Sequence, residues 1–493
     1  MGFKLIDYVI VIVYLIGVAV FGVLTGGKQT NTKDYFVGGR KISWLVVSFA
    51  IVATETSTIT FISIPGLAYL TNLNFLQIAL GYILGRIAVA FLFLPSYYRG
   101  ELVTAYELLK TRFGEKTRNY ASVVFIVTRT LATGVRLFTM AIPLAIILQG
   151  YKIFSGYPAV TVYAISIIVI TAVTFVYTYT GGIKAVIWTD VIQMFVYIGG
   201  AAIALYVMLS HIPGGWGTVV ATAMAKDKFQ FIHWGFSGGL AHFFTVDYSF
   251  IASVLGGAFL SMASHGTDQL IVQRLLSTDS LKSSQKAVIA SGFFVALQFL
   301  FFLIIGVVLY TFYHAFPFKD GDQIFPKFIV EQLPSGVSGL IVAGLFASGM
   351  SSLSGSINSL ASSTLIDLYK PYFGKHSDEK KDMKLSKLFS LIWTVILVGT
   401  AFIFIHSNEA VIVVALSIAS VTYGGLLGTF LLGVLFKKPQ QKDAIIGFTA
   451  GLAILVYVFF FTHIAWTWYT MIGAFVTIMV GLTSAWFRRT ETA

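Results

Sequence analysis

The sequence predicts an all-α polytopic membrane protein with 13 transmembrane helices. Three observations carry that expectation. First, 57% of the 493 residues are hydrophobic and 11% are charged, with a mean hydropathy of +0.84, well beyond a soluble domain. Second, apolar stretches of spanning length recur at roughly 5–25, 43–70, 74–95, 120–148, 157–180, 183–209, 248–273, 285–313, 335–366, 388–406, 409–435, 442–462 and 465–487. Third, 24 of the 33 Lys and Arg fall in one set of alternate connections and 6 in the other, while Arg86, Arg129 and Arg136 lie inside spans. This positive-inside pattern puts the N-terminus outside and the C-terminus in the cytoplasm. It also explains the +12 net charge without a basic face for nucleic acid. Cysteine is absent, which excludes disulfides and thiolate chemistry. The first span lacks a strongly basic start and an Ala-x-Ala site, so it reads as a retained helix.

In chain order, the first informative span is Ser43–Leu70. Its apolar run is interrupted by Thr54-Glu55-Thr56-Ser57-Thr58 and Thr60, with Glu55 near mid-bilayer, where an ionised side chain is costly and usually functional. Hydroxyls there, and carbonyls if the helix opens, are hard oxygen ligands for a small cation. Arg86 and Arg136 sit at a similar depth, and Arg129 precedes Arg136 by two helical turns. An arginine at that depth suits either a solute carboxylate or Glu55 itself. Thr104–Asn119 carries Ala105, Leu108, Leu109 and Phe113 at helical spacing, as an interfacial helix would. Asp190, six residues past Lys184, reads as a counter-charge for a cation, with Gln193 a turn on. The external connection His211–Asp247, rich in Gly and aromatics, is a candidate lid.

The 248–273 span is interrupted at Ser261-Met262-Ala263-Ser264-His265-Gly266-Thr267-Asp268-Gln269. Two interrupted helices five spans apart are what a five-plus-five inverted repeat predicts. In the 335–366 span, Ser348, Ser351, Ser352 and Gly355 recur at i, i+3, i+4 and i+7. That pattern suits close helix packing or, through the Ser351 and Ser352 hydroxyls, a sodium ion. No linker or soluble domain is visible; 1–493 reads as a single domain.

At these residues the chain resembles the sodium:solute symporter family along essentially its whole length. The matching stretches are Ala53–Pro65, Tyr179–Gln193 with its Gly-Gly…Trp-Thr-Asp…Gln pattern, Asp268–Arg274 and Ala347–Ser359. The resemblance implies a LeuT-type fold: an extra first helix (5–25), two inverted repeats (43–209 and 248–435) and two C-terminal helices (442–487). It implies a main sodium site on the carbonyls of Ala53, Thr56 and Ser348 and the hydroxyls of Ser351 and Ser352. A second sodium site would use Asp190, Ser351 and Ser354, although Gly355 stands where members with that site carry another hydroxyl. The solute would face Glu55, Ser57, Thr60, Gln77, Arg136, Ser261, His265 and Gln269. Sialic-acid carriers place an arginine about a turn before Arg136, where this chain has Ala132.

The expected function is a secondary active transporter, not an enzyme. It couples inward sodium flow to uptake of a small polar organic solute by alternating access in the plasma membrane. Lipid, sodium and the solute are its partners, and the functional unit is one chain. One charge entering across 100 mV supplies roughly 2.3 kcal/mol. The rivals are a proton-coupled carrier using Glu55 and a proton-pumping respiratory subunit. The latter is disfavoured by the lack of a deep Lys.

Overall fold

The computed structural model describes residues 4–27, 29–100, 102–149, 156–236, 239–374, 378–406 and 411–491; Lys28 of the first basic connection lies outside them. Among these residues the structure is helical, with one isolated bridge between Ile42 and Thr278. The principal helices are α1 (Leu5–Gly26), α2 (Trp44–Glu55), α3 (Thr58–Leu70), α4 (Leu76–Leu92), α5 (Glu107–Phe113), α6 (Glu115–Gln149) and α7 (Ala159–His211). They continue with α8 (Phe250–Gly266), α9 (Gln269–Leu275), α10 (Leu281–Phe312), α11 (Val337–Ser363), α12 (Glu379–Ile403), α13 (Val411–Leu435), α14 (Gln441–Phe461) and α15 (Tyr469–Glu491). Nine helices among the described residues are long and apolar enough to cross a membrane, or eleven when each bent pair counts as one.

Both interruptions expected from sequence are real breaks. α2 and α3 meet at 64°, and α8 and α9 at 67°. The first break has no glycine. Thr56 and Ser57 take extended backbone instead, a conformation hydroxyl residues tolerate because their side chains bond the neighbouring backbone. Thr56 does so, donating to the Val52 carbonyl at 2.7 Å.

Three elements differ from expectation. The spans at 157–180 and 183–209 run together as α7, kinked at Gly182, whose φ is +57°. A Cβ there would stand 2.5 Å from the Tyr35 carbonyl oxygen, so backbone angle and space both demand glycine. The 104–119 segment is divided between α5 and the first turn of α6, because Gly114 takes φ +109° between them. Its apolar residues Ala105, Leu109 and Phe113 are buried in the protein rather than laid on lipid. The long 335–366 span becomes α11, which passes into a π-helical turn, Thr364–Tyr369.

α11 is the axle of the bundle. Every residue of it except Val337 and Leu340 is buried, and it packs on α7, α6, α1 and α2. Its serines are tolerated inside because they donate to their own helix. Ser348 reaches the Leu345 carbonyl at 2.8 Å, Ser354 the Ser351 carbonyl at 3.0 Å, and Ser356 the Ser352 carbonyl at 2.8 Å. Small residues in turn allow helices to approach closely.

The start of α11 is held by α1. Asp7, fully buried, accepts from the Gly336 and Gly339 amides at 2.7 and 2.8 Å, and from the Lys4 amide at 2.9 Å. A carboxylate thus satisfies free N–H groups at a helix N-terminus, where the helix dipole also favours it. Asp7→Ala is expected to cost about 1–2 kcal/mol, read as a lowered unfolding midpoint in detergent. Substitution of the exposed Ile12 should leave that midpoint unchanged.

Candidate sodium and solute site

The end of α2 abuts the middle of α11. The last helical bond of α2 runs from the Thr56 amide to the Val52 carbonyl at 2.9 Å, so the carbonyls from Ala53 onward are released from the helix. Ser352 Oγ donates to the Thr54 carbonyl at 3.0 Å. The Thr54 and Ser351 hydroxyls stand 3.5 Å apart, and those of Thr58 and Ser348 stand 3.4 Å apart. Gln298 of α10, missed in the sequence, donates to Thr56 Oγ1 and accepts from the Tyr197 hydroxyl at 3.0 Å. Through Thr54 and Thr58, Ser348, Ser351 and Ser352 of α11 thus meet the break that follows Ala53 and Thr56, all of them buried, at the negative end of a helix dipole. Carbonyls and hydroxyls at such an end suit a hard monovalent cation.

Of the two arginines that share its depth, Glu55 bonds Arg86 of α4, not Arg136. Arg86 also donates to Ser291 Oγ at 2.7 Å, and His265 Nε2 lies 3.6 Å from the Glu55 carboxylate. Arg136 is half-buried, lines the cavity described below, and has no carboxylate within 4 Å among the described residues. Asp268 pairs with Arg129, accepts from the Tyr423 hydroxyl of α13, and caps α9 by accepting from the Leu270 amide at 2.9 Å.

Asp190 is not a free counter-charge. Arg274 Nη2 reaches it at 2.8 Å, and Thr54 Oγ1 at 3.2 Å. Sequence reading put Arg274 in a basic connection, but its guanidinium is fully buried. Gly355 makes that burial feasible, since a Cβ there would stand 2.6 Å from Arg274 Nη2. Ser354 sits on the same stretch but spends its hydroxyl on the Ser351 carbonyl.

Beside the C-terminal end of α2 lies a cavity of about 980 Å³, counted out to its open mouth. Of the residues expected to face a solute, Glu55, Ser57, Thr60, Arg136 and His265 line it. Ser57 opens α3 without using its hydroxyl as a cap. Gln77, Ser261 and Gln269 do not line it. Gln77 donates to the Asn74 and Tyr248 carbonyls at 3.0 and 2.9 Å and accepts from the His233 amide at 3.1 Å. Ser261 donates to the Tyr82 carbonyl at 3.1 Å. Gln269 accepts from the Ala105 amide at 2.8 Å and donates to the Val103 carbonyl at 3.1 Å. In each case a buried backbone group claims the side chain, which an apolar setting rewards. The wall also includes Tyr82, Arg129, Ser264 and Tyr423, with Phe75, Leu260 and Phe299 as apolar faces. Tyr82 precedes Arg86 by one turn and was findable on that ground. Tyr423 lies in an apolar run with no signal.

Comparison with known proteins agrees with this architecture. The family model of the sodium:solute symporter family matches residues 35–451. The chain is 28% identical to the sodium/sialic acid symporter SiaT of Proteus mirabilis (strain HI4320), over 98% of this chain and 95% of that protein. It is 30% identical to sodium-coupled monocarboxylate transporter 2 of Bos taurus, over 93% and 73%. A substrate-bound, outward-open Na+-coupled sialic acid symporter, reported with a novel Na+ site, superposes with a TM-score of 0.84 at 26% identity, covering 98% of this chain and 97% of the other. The chain belongs to the sodium:solute symporter family, integral membrane transporters that couple sodium to solute uptake.

Proposed function

We propose that the protein takes up a small organic anion with one sodium ion, bound between the broken end of α2 and the hydroxyl face of α11. The observation that carries this reading is the contact of the broken helix with the α11 serines: the released Thr54 carbonyl on Ser352, and the Thr54 and Thr58 hydroxyls beside Ser351 and Ser348. Sodium there draws α2 onto α11 and so fixes the Glu55–Thr60 wall of the solute cavity; alternating access then releases both. The N-terminus is outside and the C-terminus cytoplasmic, as the alternating Lys and Arg content supports. Reading α7 as two crossings about Gly182, and α13 as a further one, gives thirteen. That count suits a LeuT-type arrangement with repeats at 43–209 and 248–435. A single chain is the working unit.

A carboxylate is the best-supported solute group. Arg136 faces the cavity without an acid partner among the described residues, and the N-terminus of α3 opens beside it with Ser57 uncapped, which favours an anion. The relatives named for sialic acid and monocarboxylates support the same class. Arg136 is the cavity arginine placed to take the carboxylate. Replacing Arg136 with Gln should raise the KM for a carboxylate solute by roughly ten- to a hundredfold, the worth of a charge-assisted hydrogen-bond pair. An unchanged KM would remove this assignment.

A single sodium is the proposed stoichiometry. Arg274 supplies the positive charge beside Asp190, Ser354 is engaged with its own helix, and Gly355 offers no hydroxyl. The sodium dependence of uptake is then expected to have a Hill coefficient of about 1. The Glu55–Arg86 pair argues against Glu55 as a proton carrier, since its charge is already compensated.

A further inference from the structure

The helix that holds the sodium hydroxyls ends on a buried acid with no cation. Asp367, in the π-helical turn after α11, is fully buried. Its two oxygens accept from Thr104 Oγ1 at 2.6 Å and from Ser363 Oγ at 2.9 Å, and no Lys, Arg or His lies within 4 Å of it among the described residues. A buried acid is normally paired with a cation or held neutral.

The way to it is polar throughout. Ser352, Ser356, Ser359, Ser363 and Asp367 follow one another at steps of four, three, four and four residues, one face of a helix. All are at most 1% exposed. Their length is about 22 Å of helix rise, from the main sodium site to the end of the bundle bearing the basic connections. Hydroxyls meet this face from the opposite side: Thr133 donates to Ser356 Oγ at 2.9 Å, and Ser363 Oγ lies 3.3 Å from Ser122 Oγ. The Tyr106 hydroxyl, two residues past Thr104, is buried and makes no hydrogen bond among the described residues. Every side chain named is a hard oxygen ligand, the chemistry a sodium ion takes and a transition metal does not.

We propose that Asp367, with Ser363 and Ser122, is an inner sodium station that receives the ion as it leaves the main site. This rests on the symport reading above and its membrane orientation. In the present conformation Thr104 closes the station. Its segment is pinned by Gln269 at Val103 and Ala105, and by Arg40 at the Leu102 carbonyl at 2.8 Å. When that segment moves off, the carboxylate exchanges hydroxyl donors for the cation.

The test is solute uptake into proteoliposomes with internal sodium varied. In the wild type, internal sodium should inhibit by occupying the station. Asp367→Asn is expected to raise the half-inhibiting internal sodium concentration roughly tenfold and leave the external half-saturating concentration within about twofold. Unchanged internal inhibition, or an equal shift on both sides, overturns the station. Thr104→Val frees a carboxylate oxygen without removing charge, so internal inhibition should strengthen. This variant decides the matter even if Asp367→Asn fails to fold. Weakened inhibition in Thr104→Val would make Asp367 an anchor for the 102–105 segment and overturn the proposal. A wild type indifferent to sodium on both sides would remove the symport reading itself, an outcome distinct from unchanged inhibition in Asp367→Asn alone.

Discussion

Asp268→Ala is expected to destabilise the protein by about 3–5 kcal/mol, the cost of leaving one partner of a buried ion pair uncompensated. Asp268 is 1% and Arg129 is 4% exposed, so the stranded guanidinium has little water to turn to. The same substitution strips the cap from α9 and the acceptor from Tyr423, and the cap alone is worth about 1 kcal/mol. Three elements part at once: the second broken helix, α6 and α13. Removing both charges should be milder, since no buried charge is then left unpaired and only the cap and the Tyr423 acceptor are lost. Unfolding midpoints of Asp268→Ala, Arg129→Met and the double variant in detergent make the comparison. A single-variant loss below about 1 kcal/mol would mean that the pair is solvated. A double variant as damaged as the singles combined would mean that the two groups act independently.

The second large effect concerns the ion. Ser351→Ala with Ser352→Ala is expected to raise the sodium concentration for half-maximal uptake roughly a hundredfold. Each hydroxyl facing a charge contributes about 1.5 kcal/mol, and 1.4 kcal/mol is a factor of ten. Ser352 also donates to the Thr54 carbonyl, so part of the effect is a loosened α2–α11 contact that a stability measurement would report. Ser356→Ala serves as the control. It lies one turn along the same buried face and donates to the Ser352 carbonyl, so it should lower stability without moving the external sodium dependence. Equal sodium shifts in the control and the double variant would place the ion elsewhere.

Much of this architecture is legible in the sequence. Spanning length and hydropathy locate the helices because a bilayer demands both. The two breaks were visible because polar runs at mid-span are too costly to be incidental. Partner choice was not legible. Glu55, Arg86 and Arg136 share a depth, but depth carries no azimuth, and the packing of α4 against α8 and α10 delivered Arg86 to Glu55. Gln77 and Gln269 illustrate a second limit: a buried amide beside a cavity serves a solute or a backbone equally well by composition, and here the backbone claimed both. Arg274 was hidden because it ends a short broken helix that turns inward, where a linear count places it in a loop. Asp367 was hidden at the edge of its span, and only three-dimensional burial marks it.

The central claim is that entry of sodium between α2 and α11 drives solute entry. The most direct measurement is uptake of a labelled carboxylate solute, such as N-acetylneuraminate or a short monocarboxylate, into proteoliposomes with membrane potential and pH gradient clamped. The account predicts accumulation above equilibrium with an inward sodium gradient, and its loss when sodium is equal on both sides or replaced by choline. Accumulation that persists without a sodium gradient and follows an imposed pH gradient would contradict it.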